Sequence, residues 1–304
     1  MPEWDAEVSV SEALAAELVR AQFAPLPERS VRFLAAGWDN TVFVVDETWA
    51  FRFPRRAIAV PGIEREMAML PQLAPMLPLP VPVPRHIGRP GPRFGWPFLG
   101  ARLIPGRELG AAGLDAPSKV GVASALGGFL RRLHARDLAD RLAGRLPHDP
   151  MGRAAMGTRV PITRARLAEA AQLGLPVPAA ADVEPILAAA ERLPPSERRV
   201  VAHGDLHLRH LLVEDGSLTG IIDWGDVCMA DPSVDLSLGW TYFEGDSRAA
   251  LLEAYGPVSA ADVLRARVLG LMLSAALATH ARSLSIGWLE RATVDGLRRV
   301  VLPN

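Results

Sequence analysis

The chain has 304 residues, of which 49% are hydrophobic and 22% charged, so it can bury a large core and is not intrinsically disordered. Its formal net charge of −1 provides no global attraction for nucleic acid or an anionic membrane, which excludes those partner classes and favours small molecules. The single cysteine, Cys228, excludes an internal disulfide and indicates a reducing compartment. With no signal peptide pattern at the N-terminus, we expect a cytoplasmic protein.

The first elements in chain order are a helix and a β-meander. Ser9 and Glu12 have the spacing of a capping box, and the leucines that follow predict a helix over residues 10–22. Turn-forming residues then separate three short runs rich in β-branched and aromatic side chains. These runs predict an antiparallel meander of three strands, at residues 31–35, 41–45 and 49–53.

A second helix and two more strands complete the β-rich part of the chain. We predict the helix over 64–73 and an extended segment over 77–84, where successive prolines remove backbone donors. The strands are predicted at 85–87 and 97–104. Pro105-Gly106 then marks a break of the kind found at a hinge between two lobes.

Beyond this break the chain is predicted to be mainly helical. One hairpin interrupts the helices, with strands at 211–213 and 218–222 around a turn-forming tetrapeptide. A β-rich first third followed by a helical remainder predicts an α+β protein with two lobes, residues 1–105 and 106–304. The predicted helices cover residues 118–135, 163–173, 183–193, 247–255, 260–283 and 287–300.

Polar side chains are concentrated between apolar runs in the segment 203–226. Polar groups in an apolar frame need partners, so such a cluster is either hydrogen-bonded internally or holds a ligand. Phosphoryl transfer would use a carboxylate to orient the attacking hydroxyl and two further side chains to hold Mg²⁺. Asp205, His210 and Asp223 supply these three side chains.

The same segment resembles the aminoglycoside phosphotransferase and choline kinase superfamily, in particular its aminoglycoside 2″-phosphotransferase and macrolide phosphotransferase branches. The resemblance covers nearly the whole chain and rests on His203-Gly204-Asp205 and on Asp223-Trp224-Gly225. It implies a two-lobed protein-kinase-like fold, with Asp205 as the catalytic residue that orients the hydroxyl. It also implies that Asp223 and His210 bind Mg²⁺, although most kinases carry asparagine at the position of His210.

The predicted first lobe departs from the family at its phosphate-binding residue. The family places a lysine on the third strand, where it pairs with a helix glutamate and contacts the α- and β-phosphates. This chain has Arg52 at that position, and its only lysine is Lys119. The resemblance therefore implies that Arg52 binds phosphate with Glu66 as its partner, while Glu64 remains an alternative partner.

Two further segments resemble nucleotide-binding parts of the family. The turn that contains Gly37 and Asn40 resembles the turn that covers the nucleotide. The strand around residues 98–104 resembles the hinge that receives the base, and the backbone of Arg102 and Ile104 would bind the purine. The resemblance thus implies GTP or ATP as the co-substrate and leaves the choice between them open.

The acceptor is predicted to be a small molecule that carries a hydroxyl group. Glu244 and Asp246 lie where relatives recognise cationic sugars, but they are equally suited to cap the next helix. An aminoglycoside or a macrolide antibiotic is the expected substrate class, as in a resistance kinase, and a metabolite is the remaining option. The protein itself is expected to be a monomer or a weak dimer.

Two other functions remain open from the sequence. His203, Asp205, His207 and His210 could form the metal site of a hydrolase, because alternate residues of an extended strand face the same side. The chain could also be a catalytically weak, nucleotide-binding pseudokinase in which Arg52 has impaired turnover. Because both Asp205 and Asp223 are present, the pseudokinase is the less favoured alternative.

Overall fold

The computed structural model describes residues 6–23 and 30–302, and the chain divides into two units. The first unit comprises Met1–Pro105 together with Ile221–Asp226, a short segment from late in the chain. The second unit comprises Gly106–Gly220 and Val227–Asn304. The segment Ile221–Asp226 therefore packs with residues from which it is separated by more than a hundred positions.

The first unit contains an antiparallel sheet of five strands in the order β1-β2-β3-β5-β4, which confirms the predicted meander and its two additional strands. Its elements are α1 (Glu12–Gln22), β1 (Val31–Ala36), β2 (Asn40–Val45), β3 (Trp49–Pro54), α2 (Val60–Leu73), β4 (Pro84–Gly88) and β5 (Phe98–Arg102).

Strand β3 lies between β2 and β5, so both of its edges are paired. Alternation along the strand places Phe51 and Phe53 on one face and Arg52 on the other. Both phenylalanines are fully buried, and the ring of Phe53 stacks on that of Phe98 with centroids 4.6 Å apart. This aromatic core holds the strand in place and leaves Arg52 directed to the opposite face of the sheet.

Both helices of the first unit differ from their predicted starts. Helix α1 begins at Glu12, and the N-cap is Ser11 rather than Ser9, because the Ser11 hydroxyl accepts a hydrogen bond of 3.2 Å from Leu14 N–H. Helix α2 begins at Val60, four residues before the prediction, with Pro61 in its first turn. Proline is tolerated there because the first N–H groups of a helix have no partner inside the helix.

The second unit is mainly helical, as predicted, with short strand pairs around its polar loop. Its elements are β6 (Arg107–Glu108), α3 (Ala116–Leu133), α4 (Arg136–Leu142), α5 (Met156–Gln172), α6 (Ala180–Glu191), β7 (Val200–Ala202), β8 (Leu211–Glu214), β9 (Ser217–Ile221), β10 (Cys228–Ala230), α7 (Ser233–Leu236), α8 (Leu238–Thr241), α9 (Gly245–Tyr255), α10 (Ala260–Ser283) and α11 (Gly287–Val301).

The predicted hairpin is present and is part of a three-stranded sheet in the order β6-β8-β9, while β7 pairs with β10. The loop between β7 and β8 carries residues 203–210, and β9 ends two residues before Asp223. Strands β6, β7 and β10 were not predicted, because two or three residues are too few for a periodic pattern. Within the described residues, no helix combines the length and the apolar character required to cross a membrane.

Candidate active site

In the first unit, Arg52 connects two carboxylates. Its Nη1 lies 2.6 and 2.7 Å from the two carboxylate oxygens of Glu66, and its Nη2 lies 2.7 Å from Oδ1 of Asp223. The Glu66 side chain is fully buried, whereas that of Asp223 is 42% exposed. Glu66, and not Glu64, is therefore the helix partner of Arg52, and Asp223 keeps an accessible side.

Burial and ion pairing act against each other in this group. Burial disfavours the charge of Arg52, but the ion pairs with Glu66 and Asp223 outweigh it and raise the pKa of the guanidinium. Burial is also the main cause that raises the pKa of Glu66 to about 7, against the opposing effect of Arg52. The guanidinium is thus charged at any physiological pH. Glu66 is the member of this pair whose protonation changes near neutral pH.

The backbone of Asp223 has an uncommon conformation. Its φ angle is 65°, in the left-handed region that few non-glycine residues occupy. Aspartate is among the residues that adopt this region when surrounding contacts hold them there. A half-exposed carboxylate held in this way is suited to bind a divalent cation, for which oxygen is the preferred donor.

The turn between β1 and β2 places Asn40 inside the first unit. Asn40 is 8% exposed, and its Oδ1 has no hydrogen-bond partner among the residues that the structure describes. Gly37 N–H donates to the Asn40 carbonyl at 2.9 Å and closes the turn. A buried amide oxygen without a partner is costly, so this oxygen is a candidate acceptor for a ligand hydroxyl or amine.

The predicted hinge strand leaves part of its backbone unpaired with β4. Leu103 N–H donates to the Thr48 carbonyl at 2.8 Å, so this residue faces β3. The pairing of β4 with β5 ends at Pro84, opposite Ala101. Because backbone groups alternate in direction along a strand, those of Arg102, the last residue of β5, face the side beyond the end of β4, whereas Ile104 lies outside the strand. That orientation suits the predicted contact with a purine.

In the second unit, a buried aspartate holds the loop that carries Asp205. Asp235 is fully buried and accepts hydrogen bonds from His203 N–H at 2.7 Å and Gly204 N–H at 3.0 Å. Gly204 has a φ angle of 90°, which favours glycine at this position. Nε2 of His134 lies 3.1 Å from the Asp235 carboxylate.

Burial alone would raise the pKa of Asp235, but the hydrogen bond from His134 and the nearby donors hold it below its usual value. Through Asp235, His134 thus contributes to the position of the loop.

The two histidines that follow Asp205 have different hydrogen-bonding states. Nδ1 of His210 lies 2.7 Å from the Asp205 carbonyl, which only accepts, so Nδ1 carries the hydrogen and Nε2 offers a lone pair. Histidines that bind metals commonly donate their other N–H to a carbonyl in this way. The Nδ1 of His207 accepts instead from Arg209 N–H at 3.2 Å, so in the neutral ring Nε2 carries the hydrogen.

Asp205, His207 and His210 form a group whose possible ligand atoms all lie within 4.8 Å of one another. The Nε2 of His207 is 3.7 Å from Oδ2 of Asp205, beyond hydrogen-bond distance. Burial, and then the neighbouring His210, Arg209 and His203, lower the pKa of His207 well below its usual value. His207 is therefore a neutral group beside Asp205, whereas His210 presents an acceptor nitrogen.

Glu244 and Asp246 lie at the start of α9. Glu244 is its N-cap and forms a capping box with Ser247, and its carboxylate lies 3.5 Å from Nε of Arg299. Asp246 is in the first turn, where the helix dipole favours an acidic side chain. These contacts explain both acids structurally, and their contact with a substrate stays a prediction.

Sequence reasoning missed Arg65 and Gly62, both on α2. Arg65 Nη1 donates to the Gly225 carbonyl, and Gly62 lies directly against the backbone of Gly225. Arg65 precedes Glu66 directly in the sequence, which could have pointed to it. Because the chain contains many arginines, one more arginine at this position did not stand out.

Comparison with known proteins identifies a family. The model of the phosphotransferase enzyme family matches residues 30–269, which is more than half of the chain. A stretch of 54 residues is 44% identical to the uncharacterized protein YcbJ of Bacillus subtilis (strain 168) and covers 17% of this chain and 18% of that protein.

Solved structures share the fold over almost the whole chain. The GDP and kanamycin complex of APH(2″)-IIIa has a TM-score of 0.72 and 20% identity, covering 94% of this chain and 97% of the other. The macrolide 2′-phosphotransferase MphH from Brachybacterium faecium has a TM-score of 0.60 and 25% identity, with 94% and 98% coverage. The spectinomycin phosphotransferase APH(9)-Ia, in complex with ADP and spectinomycin, has a TM-score of 0.68 and 13% identity, with 97% and 100% coverage. The chain thus has the kinase-like fold that the sequence predicted.

Proposed function

The chain belongs to the phosphotransferase enzyme family, and from this premise we propose that it transfers the γ-phosphoryl group of GTP or ATP to a hydroxyl group of an aminoglycoside or macrolide antibiotic. The observation that carries the proposal is the position of Arg52, whose guanidinium bonds both the buried Glu66 and the accessible Asp223. This is the arrangement that a kinase needs beside the phosphates of its nucleotide.

We assign the nucleotide to residues of the first unit. Arg52 has further N–H groups for the α- and β-phosphates and is held in place by Glu66. The amide oxygen of Asn40, in the turn closed by Gly37, is available to a ligand donor. The backbone of Arg102 and Ile104 would bind the base. Structures with GDP and with ADP both occur among the similar proteins, so either GTP or ATP is compatible with this assignment.

Mg²⁺ would be held by Asp223, through an oxygen, and by His210, through the lone pair of Nε2. When bound, the ion would neutralise charge on the β- and γ-phosphates. Arg52 already occupies one oxygen of Asp223, so the carboxylate is oriented before a cation arrives. The hydrogen bond from His210 to the Asp205 carbonyl likewise orients the imidazole in advance.

Asp205 is proposed to accept a hydrogen bond from the acceptor hydroxyl and to orient its oxygen for attack. Its side chain is 38% exposed, which leaves room for an acceptor. The backbone on either side is fixed, because Asp235 binds the N–H groups of His203 and Gly204. Positioning of this kind, together with electrostatic stabilisation, accounts for most of the catalysis in phosphoryl transfer.

The metallohydrolase alternative is favoured by one observation, the proximity of Asp205, His207 and His210. Its weakness is the hydrogen on Nε2 of His207. A cation at that nitrogen would have to displace the hydrogen and break the bond from Arg209 N–H. Hydrolysis without nucleotide, stimulated by Zn²⁺ and lost on His207→Ala, would support this alternative over the kinase.

The test is a phosphoryl-transfer assay with Mg²⁺ and GTP or ATP against aminoglycosides, macrolides and hydroxylated metabolites. Asp205→Asn should lower kcat by about 10²–10⁴-fold, since it removes the acceptor of the hydroxyl proton. It should leave nucleotide affinity nearly unchanged, because Asp205 acts on the acceptor. Asp140→Asn, at an exposed position of α4, is the matched control and should behave like the unaltered chain.

Acceptor-dependent release of GDP or ADP that disappears in Asp205→Asn would establish the activity and name the substrate class. Nucleotide binding without turnover on any acceptor would favour the pseudokinase. Equal activity in Asp205→Asn and Asp140→Asn would contradict the role of Asp205 in orienting the acceptor hydroxyl.

A further inference from the structure

Residues 223–225, here called the metal loop, are contacted at each successive position by α2 or β3. Arg52 binds the Asp223 carboxylate with Nη2 at 2.7 Å. The backbone of Trp224 donates a hydrogen bond to Glu66. The carbonyl of Gly225 accepts from Nη1 of Arg65. Three consecutive residues of the metal loop are therefore bound by three side chains of the same unit.

Arg65 and Glu66 act on the metal loop together with Gly62. Arg65 and Glu66 follow Gly62 by three and four residues, so both lie on the same face of α2 as Gly62. A Cβ atom on Gly62 would lie 3.3 Å from Cα of Gly225 and 3.4 Å from its carbonyl oxygen. The absence of a side chain at Gly62 thus lets the helix approach the metal loop closely enough for Arg65 to reach the Gly225 carbonyl.

The conformation of Asp223 requires this support. Its φ angle of 65° is unfavourable for a residue with a side chain, so the surrounding contacts must maintain it. The contact from Arg52 is to the same carboxylate that a metal ion would use, so it competes with the ion rather than only supporting it. The contact from Arg65 is to the backbone and does not use any oxygen of Asp223.

We propose that Arg65, together with the close approach of Gly62 to Gly225, positions the metal loop and presets the Asp223 carboxylate for a divalent cation. Arg65 is a positioning residue, because it acts through the backbone of Gly225 and touches neither metal nor substrate. The proposal rests on the proposed function for the role of Asp223. It assigns to α2 a second task besides holding Arg52 through Glu66.

The test compares Arg65→Met, which keeps the apolar stem, with Arg65→Lys, which keeps a cationic donor. Binding of Mn²⁺ is followed by electron paramagnetic resonance in the presence of GDP or ADP, whichever the chain binds. We expect Arg65→Met to weaken Mn²⁺ binding by about tenfold or more, in the range found for residues that orient metal ligands. Arg65→Lys should recover part of this loss. Nucleotide affinity in EDTA should change by less than about twofold in both variants.

Gly62→Ala gives an independent variant, since its added methyl group must displace the Gly225 backbone by a few tenths of an ångström. It should weaken Mn²⁺ binding in the same direction as Arg65→Met. The matched controls are Arg136→Met, at a position where the side chain is 94% exposed, and Gly128→Ala, where an added methyl group meets no atom within 4 Å. Neither control should change Mn²⁺ binding.

Unchanged Mn²⁺ affinity in folded Arg65→Met, or no Mn²⁺ binding by the unaltered chain, would overturn the proposal. A lowered Tm with normal Mn²⁺ affinity would also overturn it, because Arg65 would then have a purely structural role. Failure of the proposed function has a different signature, the absence of phosphoryl transfer to every acceptor while Mn²⁺ binding still depends on Arg65.

Discussion

Arginine at position 52 binds two carboxylates through two separate nitrogens, which a lysine at the same position could not do. The planar guanidinium presents separate nitrogens to two carboxylates at once, whereas an ammonium group is a single point of charge. Here one nitrogen binds both oxygens of Glu66 and the other binds Asp223. The replacement of lysine therefore changes the geometry of the group and keeps its positive charge next to the metal loop.

Arg52→Met should lower the free energy of unfolding by about 3–5 kcal/mol, because it leaves Glu66 buried without its partner. The pKa of Glu66 is already raised to about 7, so protonation can relieve part of this loss at low pH. We therefore expect a larger loss at pH 8 than at pH 6, measured by urea unfolding at both values.

The double variant Arg52→Met/Glu66→Leu supplies the control for this prediction. Replacement of a buried ion pair by apolar side chains is often neutral, so the double variant should regain most of the lost stability. An equal loss in the single and double variants would show that Arg52 stabilises the unit by packing and not through Glu66.

At the scale of elements, helix α3 packs closely against α9 at a glycine. A Cβ atom on Gly127 would lie 2.3 Å from the Leu251 carbonyl oxygen and 2.9 Å from Cβ of Ala254. The next residue, Gly128, has no atom within 4 Å of such a Cβ. Gly127 therefore has no space for a methyl group, whereas the adjacent Gly128 has.

Gly127→Ala should destabilise the protein by about 1–3 kcal/mol through overpacking. Gly128→Ala should stabilise it by up to about 1 kcal/mol, because alanine has the higher helix propensity and meets no obstacle. Thermal unfolding of the two variants side by side checks both signs. Similar values of Tm for the two variants would contradict the close packing of α3 on α9.

Helix α10 carries a buried histidine that makes stability depend on pH. His280 is 3% exposed, and burial, followed by the charge of Arg209, lowers its pKa. In the unfolded chain the imidazole has its usual pKa of about 6.5, so the unfolded state binds a proton first as the pH falls. The stability is thus fully present above this value and is lost as the pH decreases below it.

His280→Gln should flatten the pH dependence of the free energy of unfolding below about pH 6.5, where one such group contributes a slope of up to about 1.4 kcal/mol per pH unit. Denaturant unfolding between pH 7.5 and 5.5 measures this slope. The control is Met151→Gln, at an exposed position without a titratable group, which should leave the slope unchanged. A slope as steep in His280→Gln as in the unaltered chain would contradict the assignment.

At the scale of the whole molecule, 33 basic and 34 acidic side chains nearly cancel, so attraction of a charged ligand must come from local groups.

Binding of a nucleotide should also appear as thermal stabilisation. A nucleotide that binds only the folded chain stabilises it by about 2.7 kcal/mol at a concentration 100 times its Kd. We expect Mg²⁺ with GTP or ATP to raise Tm by more than the same nucleotide in EDTA. Asp223→Asn should lose this difference, and Asp140→Asn should keep it.

Most elements and the family could be predicted from the sequence, because their signals are local. Alternation in residues 31–54 predicts strands wherever they finally pack, and the motifs at 203–205 and 223–225 resemble those of a kinase family. Several elements of two to four residues, such as β6 and α7, were missed because they are too short to show a repeat, and the seven-residue helix α4 was missed as well.

The amino-acid sequence by itself determined the α+β class and, through its resemblance, the family, while the catalytic and metal-binding roles of Asp205, His210 and Asp223 stay predictions. The tertiary structure decided how His207 and His210 are hydrogen-bonded, which glutamate pairs with Arg52, and that Arg65 of α2 contacts the Gly225 carbonyl. Arg52 and Asp223 are 171 positions apart, and Arg65 and Gly225 are 160 apart. Contacts over such separations depend on the packing of several elements together, so no local pattern in the chain encodes them.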